Sequence, residues 1–419
     1  MGDSCLEQRR KSFWCIADQE DRENSKIKMK ILMYRYGSIC EPDIMEAFSQ
    51  LGLEVIEEKT EMENKKLTPA DQVELVSKAI EKQRPLFIFS VNFFPAIAEV
   101  CHLYGIKYGC WTVDSPVMEL FSRSVSYETN RLFLFDRAQF DRFRPYNEKG
   151  IRHLPLASAV QRFDQVIRSI TEKDREKYSK NVAFVGSLYE EKNPLNRIKT
   201  LDEYEKGYIR GVVEASLKVM GYNFMEEAVT DQIAEALKRA DPDFYQAKDS
   251  LEDCSRYVAA HEYLGMQAAE TERIRTLNTL AEYFTVDLYT RSDTSELNRV
   301  QVHGGIRTLD EMPKVFHLSK INLNMTIKPI QTGLPLRIFD ILGCGGFLMT
   351  NYQQELTEHF EIGVDLEAYG SMEELVDKCA YYLQHEDERI RIAKNGYEKV
   401  KQYHTYTHRM VEIIRGMSE

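Results

Sequence analysis

The chain has 419 residues, longer than one typical hydrophobic core, so two or three domains are expected. Hydrophobic residues at 43% and aromatic residues at 11% are those of a folded globular protein. The net charge of -12 argues against nucleic acid as the main partner, because phosphate backbones need an excess of clustered Lys and Arg.

Eight cysteines (Cys5, Cys15, Cys40, Cys101, Cys110, Cys254, Cys344, Cys379) include no C-x-x-C pair and no dense framework, the usage of reduced thiols. No run approaches the roughly 18 to 20 apolar residues of a membrane span, and Phe13 to Ala17 is too short for a signal peptide. These features set the expectation of a cytoplasmic protein without a membrane span.

Residues 1–28 are strongly polar around Asp18 to Asn24 and are set apart as a flexible leader with no assigned function. From Lys30 onward, short apolar runs alternate with helical patterns. Ile31 to Tyr34 reads as a buried strand, Asp43 to Leu51 as a helix and Glu54 to Ile56 as the next strand. Thr68-Pro69-Ala70-Asp71 is a capping signal that opens a helix to about Gln83. Pro85 to Ser90, Lys107 to Val113, Arg131 to Phe135 and Ile151 to Leu156 complete the strands, with a helix over Ala96 to Tyr104.

This α/β rhythm implies a doubly wound parallel sheet, whose ligand loops leave the carboxyl ends of its strands. Those ends carry Tyr36-Gly37-Ser38, Ser90-Val91-Asn92 and Asp114-Ser115-Pro116.

A charged connector, Glu172 to Lys180, separates this unit from a second, which starts at the strand Val182 to Val185 with Gly186-Ser187 at its end. Residues 190–265 read as a helical insertion rich in Glu, Ala and Lys. The alternation then resumes through the helix Thr271 to Tyr283, the strands Val286 to Tyr289 and Val300 to Val302, the helix Met312 to Leu318 and the strand Ile321 to Asn324. The expected division is 29–175 for the first domain and 176–400 for the second, with 401–419 a last helix crossing back to the first. Two such sheets in tandem place their strand ends across a shared cleft, where ligands bind.

The most informative segment runs from Gly333 to Gly346. A glycine and a proline open a short helix and later glycines close it. Ile338, Ile341 and Leu342 share one face, while Arg337 and Asp340 point elsewhere. A cation and a carboxylate near a helix N-terminus suit an anionic ligand such as a nucleotide diphosphate, although an Arg–Asp pair serving structure alone gives the same pattern.

Val182 to Ser187, His303-Gly304-Gly305-Ile306, Asn322 to Asn324, the Gly333 block and Ala393-Lys394-Asn395-Gly396 with His404 to Arg409 together resemble group 1 glycosyltransferases of the spore-maturation, CgeB-like type. Tyr34 to Ser38, Trp111 to Pro116 and Leu154 to Ala157 resemble the uncharacterised domain that precedes such domains in bacterial proteins. The resemblance implies the GT-B fold, two Rossmann-like domains facing a cleft, with a nucleotide-sugar donor on the C-terminal domain and an acceptor on the N-terminal one.

It also implies diphosphate binding without a metal or cofactor, and the chain has no D-x-D motif at a strand end and no His/Cys ligand cluster. A family pattern of two Glu separated by seven residues falls on Thr332 and Asp340, so Asp340 is expected on the ribose. Gly333 and Arg337 are expected at the phosphates, with Gly186, Ser187 and Arg291 as further donor-side candidates.

On the acceptor side stand Tyr36, Gly37, Ser38 and Asn92. Asp114 is the candidate general base, since the acceptor hydroxyl must lose its proton as the bond to the anomeric carbon forms; His153 and His303 are alternatives. His404 and His408 share a helical face but have no third ligand nearby. The expected activity is transfer of a sugar from a UDP-linked donor to a protein, glycan or small-molecule acceptor. A nucleotide-sugar epimerase and a non-catalytic sugar- or nucleotide-binding module are the alternatives, and the oligomeric state is left open.

Overall fold

Runs such as Phe87 to Val91 and Val182 to Val185 have no polar alternation, and a strand of that kind is stable only where helices cover both faces of its sheet. The computed structural model describes residues 29–247 and 249–419, so the expected leader lies outside the described residues. The strands of the first sheet are β1 (Lys30–Tyr34), β2 (Glu54–Glu58), β3 (Phe87–Val91), β4 (Lys107–Trp111), β5 (Asn130–Leu134) and β6 (Ile151–His153). Those of the second are β7 (Val182–Val185), β8 (Val286–Tyr289), β9 (Gln301–Val302), β10 (Ile321–Asn324), β11 (Leu348–Asn351) and β12 (Glu367–Tyr369). Strands β3, β5, β7, β8, β10 and β11 are buried along their whole length.

Both sheets are parallel, in the orders β2-β1-β3-β4-β5-β6 and β12-β11-β10-β7-β8-β9. The direction of winding reverses between β1 and β3 in the first and between β7 and β10 in the second. At such a switch point the loops leave toward opposite faces and open a crevice at the carboxyl ends.

The helix Pro69–Gln83 starts at the capping box of Thr68 and Asp71. Strand β4 stops at Trp111, short of the expected Val113, because the Val113 N–H turns to the side chain of Asn92. The expected connector is a helix, Glu172–Tyr178, held by a capping box of Thr171 and Asp174 and by Lys314 Nζ 3.0 Å from Asp174. It was missed because only Tyr178 on it is buried, which leaves no apolar stripe to read.

The segment between β7 and β8 leaves the second sheet but packs on the first unit. Leu32, Tyr34, Ile88 and Leu132 share one apolar cluster with Leu201, Ile209, Leu237 and Leu264. The Tyr257 ring meets Phe121 edge-on at 5.0 Å, the Leu251 N–H donates to Phe121 O, and Arg142 pairs with Glu226 and Glu252 at 2.9 Å each. The helix Ser255–Val258 continues through a π-helical turn, Ala259–Leu264, into Gly265–Tyr283, so one rod runs from the first unit into the second. The last helix, Tyr406–Ser418, also returns to the first unit: Lys107 Nζ donates to Met417 O at 2.8 Å, and the Met417 sulfur fills the space beside Gly109.

Candidate functional site

At the β1/β3 crevice the loop after β1 is fixed by Glu41, the first residue of the helix Glu41–Gln50. Its fully buried carboxylate accepts the N–H groups of Tyr36, Gly37 and Ser38 at 2.9, 3.0 and 3.1 Å and Arg35 Nε at 3.0 Å. Gly37 has φ +97°, which only glycine adopts readily. Across the crevice, Asn92 accepts the Val113 N–H on Oδ1 and donates from Nδ2 to the Tyr36 hydroxyl at 3.0 Å and to Asp114 Oδ2 at 2.8 Å.

Tyr36, Asn92 and Asp114, from the ends of three strands, therefore meet in one hydrogen-bonded cluster, and Asp114 is exposed. Burial and the nearby Asp114 charge push the Tyr36 hydroxyl up. Gly37 and Ser38 shape the loop through their backbone bonds to Glu41. Outside this cluster Glu262, on the π-helical turn, is pushed up to about 7 by burial, Glu119 and Asp241, and Glu119 is pushed up by burial and, less, by Asp114.

The carboxyl ends of the two sheets meet at Asp136, which follows β5 and is completely buried. Its carboxylate accepts the N–H groups of Gln331, Thr332 and Gly333 at 2.8, 3.1 and 3.3 Å and the Thr332 hydroxyl at 2.9 Å, and it caps its own helix at Ala138. A Cβ on Gly333 would come 2.8 Å from Asp136 Cα. Thr332 and Gly333, expected beside the donor, are thus engaged in closing the seam between the sheets. Here the missing side chain admits protein backbone, where a phosphate was expected.

The helix Leu336–Gly343 forms as read, with Pro335 at its N-cap and Ile338, Ile341 and Leu342 buried. Arg337 and Asp340 lie 3.5 Å apart. Arg337 does not stretch into open space: its Nη1 is 2.7 Å from Met312 Sδ and its guanidinium lies over the Phe316 ring. Burial, opposed by Arg337 and Arg162, pushes the Asp340 carboxyl up to about 6.

At the β7/β10 crevice, a Cβ on Gly186 would meet the Phe184 ring at 3.1 Å. Ser187 Oγ donates to Glu191 Oε1 at 2.5 Å and accepts the Tyr189 N–H at 2.8 Å. Arg291 is exposed and packs along Gly305. His153 contacts Glu355 at 2.9 Å, His303 contacts Asp287 at 2.6 Å, His404 takes a 2.6 Å contact from Arg409, and His408 caps its helix through Thr405.

Sequence reasoning passed over Arg273. From the helix Gly265–Tyr283 it donates Nη1 to Ser187 O at 2.7 Å and Nη2 to Met325 O at 2.8 Å, which joins the carboxyl ends of β7 and β10. Its guanidinium lies over the rings of Tyr189 at 4.5 Å and Phe184 at 5.2 Å. In the sequence it is one charged residue in a polar helix; only the strand order shows that it spans a switch point.

The two parallel sheets, their flanking helices and the meeting of their carboxyl ends are the architecture of GT-B glycosyltransferases. A glycosyltransferase of Rickettsia africae superposes with a TM-score of 0.51 at 12% identity, over 94% of this chain and 99% of the other. A sucrose-phosphate synthase of Thermosynechococcus elongatus gives 0.50 at 11%, over 93% and 98%, and a UDP-forming α,α-trehalose-phosphate synthase of Burkholderia xenovorans gives 0.51 at 9%, over 94% and 99%. Residues 272–415 match the family described as glycosyl transferase-like. No curated protein matches the chain in sequence.

Proposed function

We propose that the protein transfers a sugar from a nucleotide-diphosphate donor, UDP-linked, to an acceptor hydroxyl held at the β1/β3 crevice. The opposition of the two switch points carries this reading: one crevice holds a guanidinium with no carboxylate partner, and the other holds an exposed carboxylate fixed by Asn92. The glycosyltransferase-like match over 272–415 and the GT-B architecture support it. The choice of UDP draws on the UDP-forming trehalose-phosphate synthase of the same fold.

In this mechanism Asp340 accepts ribose hydroxyls, cations of the chain rather than a metal meet the diphosphate, and Asp114 takes the acceptor proton. Rate enhancement comes mainly from positioning and from stabilising the charge that grows on the leaving diphosphate. An epimerase would need no second-substrate site, so the Tyr36–Asn92–Asp114 cluster favours transfer. The spore-maturation subtype and a cytoplasmic setting complete the proposal.

The test is to incubate the protein with a panel of UDP- and GDP-sugars, measuring thermal stabilisation and nucleotide release with and without added glycan acceptors. Stabilisation by one donor and acceptor-dependent release are expected. If no nucleotide sugar stabilises the fold, the proposal falls.

A further inference from the structure

We propose that Arg273 is the residue that receives the diphosphate of the donor, which rests on the glycosyltransferase reading above. The position is the first argument. The crevice outside the carboxyl ends of β7 and β10 is where an α/β sheet of this order binds ligands, and Arg273 bonds to the carbonyls of Ser187 and Met325, in the loops that leave those two strands.

Charge is the second argument. Among the described residues no carboxylate lies within 4.0 Å of this guanidinium. The neighbouring Glu272 is buried and feels both Lys328 and Arg273, Lys328 the more strongly. Glu190 and Glu191 stand at the rim but are engaged by the Asp293 N–H at 2.6 Å and by Ser187 and Ser292. Burial pushes the Arg273 guanidinium down and the Arg337 cation adds to this, opposed by Tyr189 and Glu272. Arg337 has Asp340 3.5 Å away, whereas the Arg273 guanidinium has no such partner, and a buried cation without a close counter-ion is costly unless an anion joins it.

Unused bonding capacity is the third argument. A guanidinium offers five N–H groups in a fixed fork. Arg273 spends one from each Nη on a carbonyl, and its Nε is shut off from solvent without a partner. The two carbonyl bonds and the Tyr189 and Phe184 rings orient the fork before any ligand arrives. Lys192 Nζ lies 5.0 Å from the same Tyr189 ring, so a second cation flanks the crevice. Tyr189 itself sits at φ +76°, and both cations lie against its ring.

The chemistry follows. The bond from the anomeric carbon to the β-phosphate oxygen breaks and its electron pair stays on that oxygen. The acceptor oxygen bonds to the anomeric carbon and its proton passes to a carboxylate. The diphosphate gains one negative charge, and Arg273 meets it through a preorganised donor that needs no reorganisation. Arg337 supports that charge from the helix Leu336–Gly343, while its own counter-ion Asp340 stays with the ribose.

The experiment compares the wild type with Arg273→Gln and Arg273→Lys in binding UDP, UMP and uridine, with thermal unfolding of the free proteins as the control for folding. Arg273→Gln should lose roughly 10- to 100-fold in UDP affinity, less for UMP and nothing for uridine, and Arg273→Lys should recover part of the loss. With the preferred donor, kcat should fall more than KM rises, because the lost interaction strengthens as charge develops.

Equal UDP binding by the wild type and Arg273→Gln overturns the inference, as does an equal loss for UDP and uridine, which marks a purely structural arginine. Should Arg273→Gln fail to fold, Arg273→Lys and the protection of the wild type by inorganic pyrophosphate decide: no pyrophosphate protection, or the same protection in both proteins, rejects the inference. Failure of the wild type to bind any uridine or guanosine nucleotide rejects the functional reading instead.

Discussion

The two switch-point crevices use the same sheet geometry for opposite electrostatics. Between β1 and β3 an amide bridges a tyrosine hydroxyl and an exposed carboxylate, whose charge Glu119 also feels. Between β7 and β10 an arginine lies on the strand ends with aromatic rings beneath it and a second arginine beside it. The first environment suits a neutral polyol that must give up a proton, and the second suits a polyanion. A transferase needs that division, because its donor leaves as a phosphate and its acceptor arrives as a hydroxyl.

The largest effect should come from separating the crevices. Asp136→Ala removes the carboxylate that receives three successive N–H groups across the seam, and the buried donors left behind should cost about 3 kcal/mol. Urea unfolding measures this, and a loss under about 1 kcal/mol would show that the insertion and the last helix hold the units together without Asp136.

On the acceptor side alone, Asp114→Asn should lower kcat by roughly 100- to 1000-fold and leave UDP affinity unchanged. A matching loss of UDP binding would mean that the two crevices do not divide the substrates as described.

Asp340 offers a pH test. Burial raises its folded pKa to about 6, above the unfolded value of about 3.9, so its contribution to stability is complete below the unfolded value and is lost as pH rises through about 6. Asp340→Asn should therefore be more stable than the wild type at pH 7.5, by up to ~3 kcal/mol, and the two should converge below about pH 4. A constant offset across that range would place the carboxyl in a better-solvated setting. The smallest effect belongs to Arg291→Ala: the side chain is exposed along Gly305, and both stability and UDP affinity should change by less than about 0.5 kcal/mol. A tenfold loss of UDP affinity would extend the cationic crevice to the end of β8.

Much of the fold was legible because its signals are local. The apolar runs of β1, β3, β7 and β10, the Thr68-Pro69 cap and the Pro335 entry with Ile338, Ile341 and Leu342 inward all follow from periodicity and capping chemistry within a few residues. Of the candidate site, Tyr36, Asn92 and Asp114 could be nominated because each lies in the loop that leaves a strand's carboxyl end. The helix Glu172–Tyr178 escaped notice, since it is held by a cap and a lysine from a distant helix rather than by an apolar stripe.

By itself, then, the amino-acid sequence determined two βα series, their strand ends and a helix entrance at Gly333, because hydrogen bonding and burial period act over one element at a time. Tertiary structure decided how those pieces are used. The insertion belongs to the core of the first unit, Gly333 makes room for Asp136, and Arg273, about 90 residues from the strand it caps, reaches the crevice because the sheet order brings β7 and β10 together. Such placements depend on side chains finding partners far along the chain, and local periodicity carries no record of them.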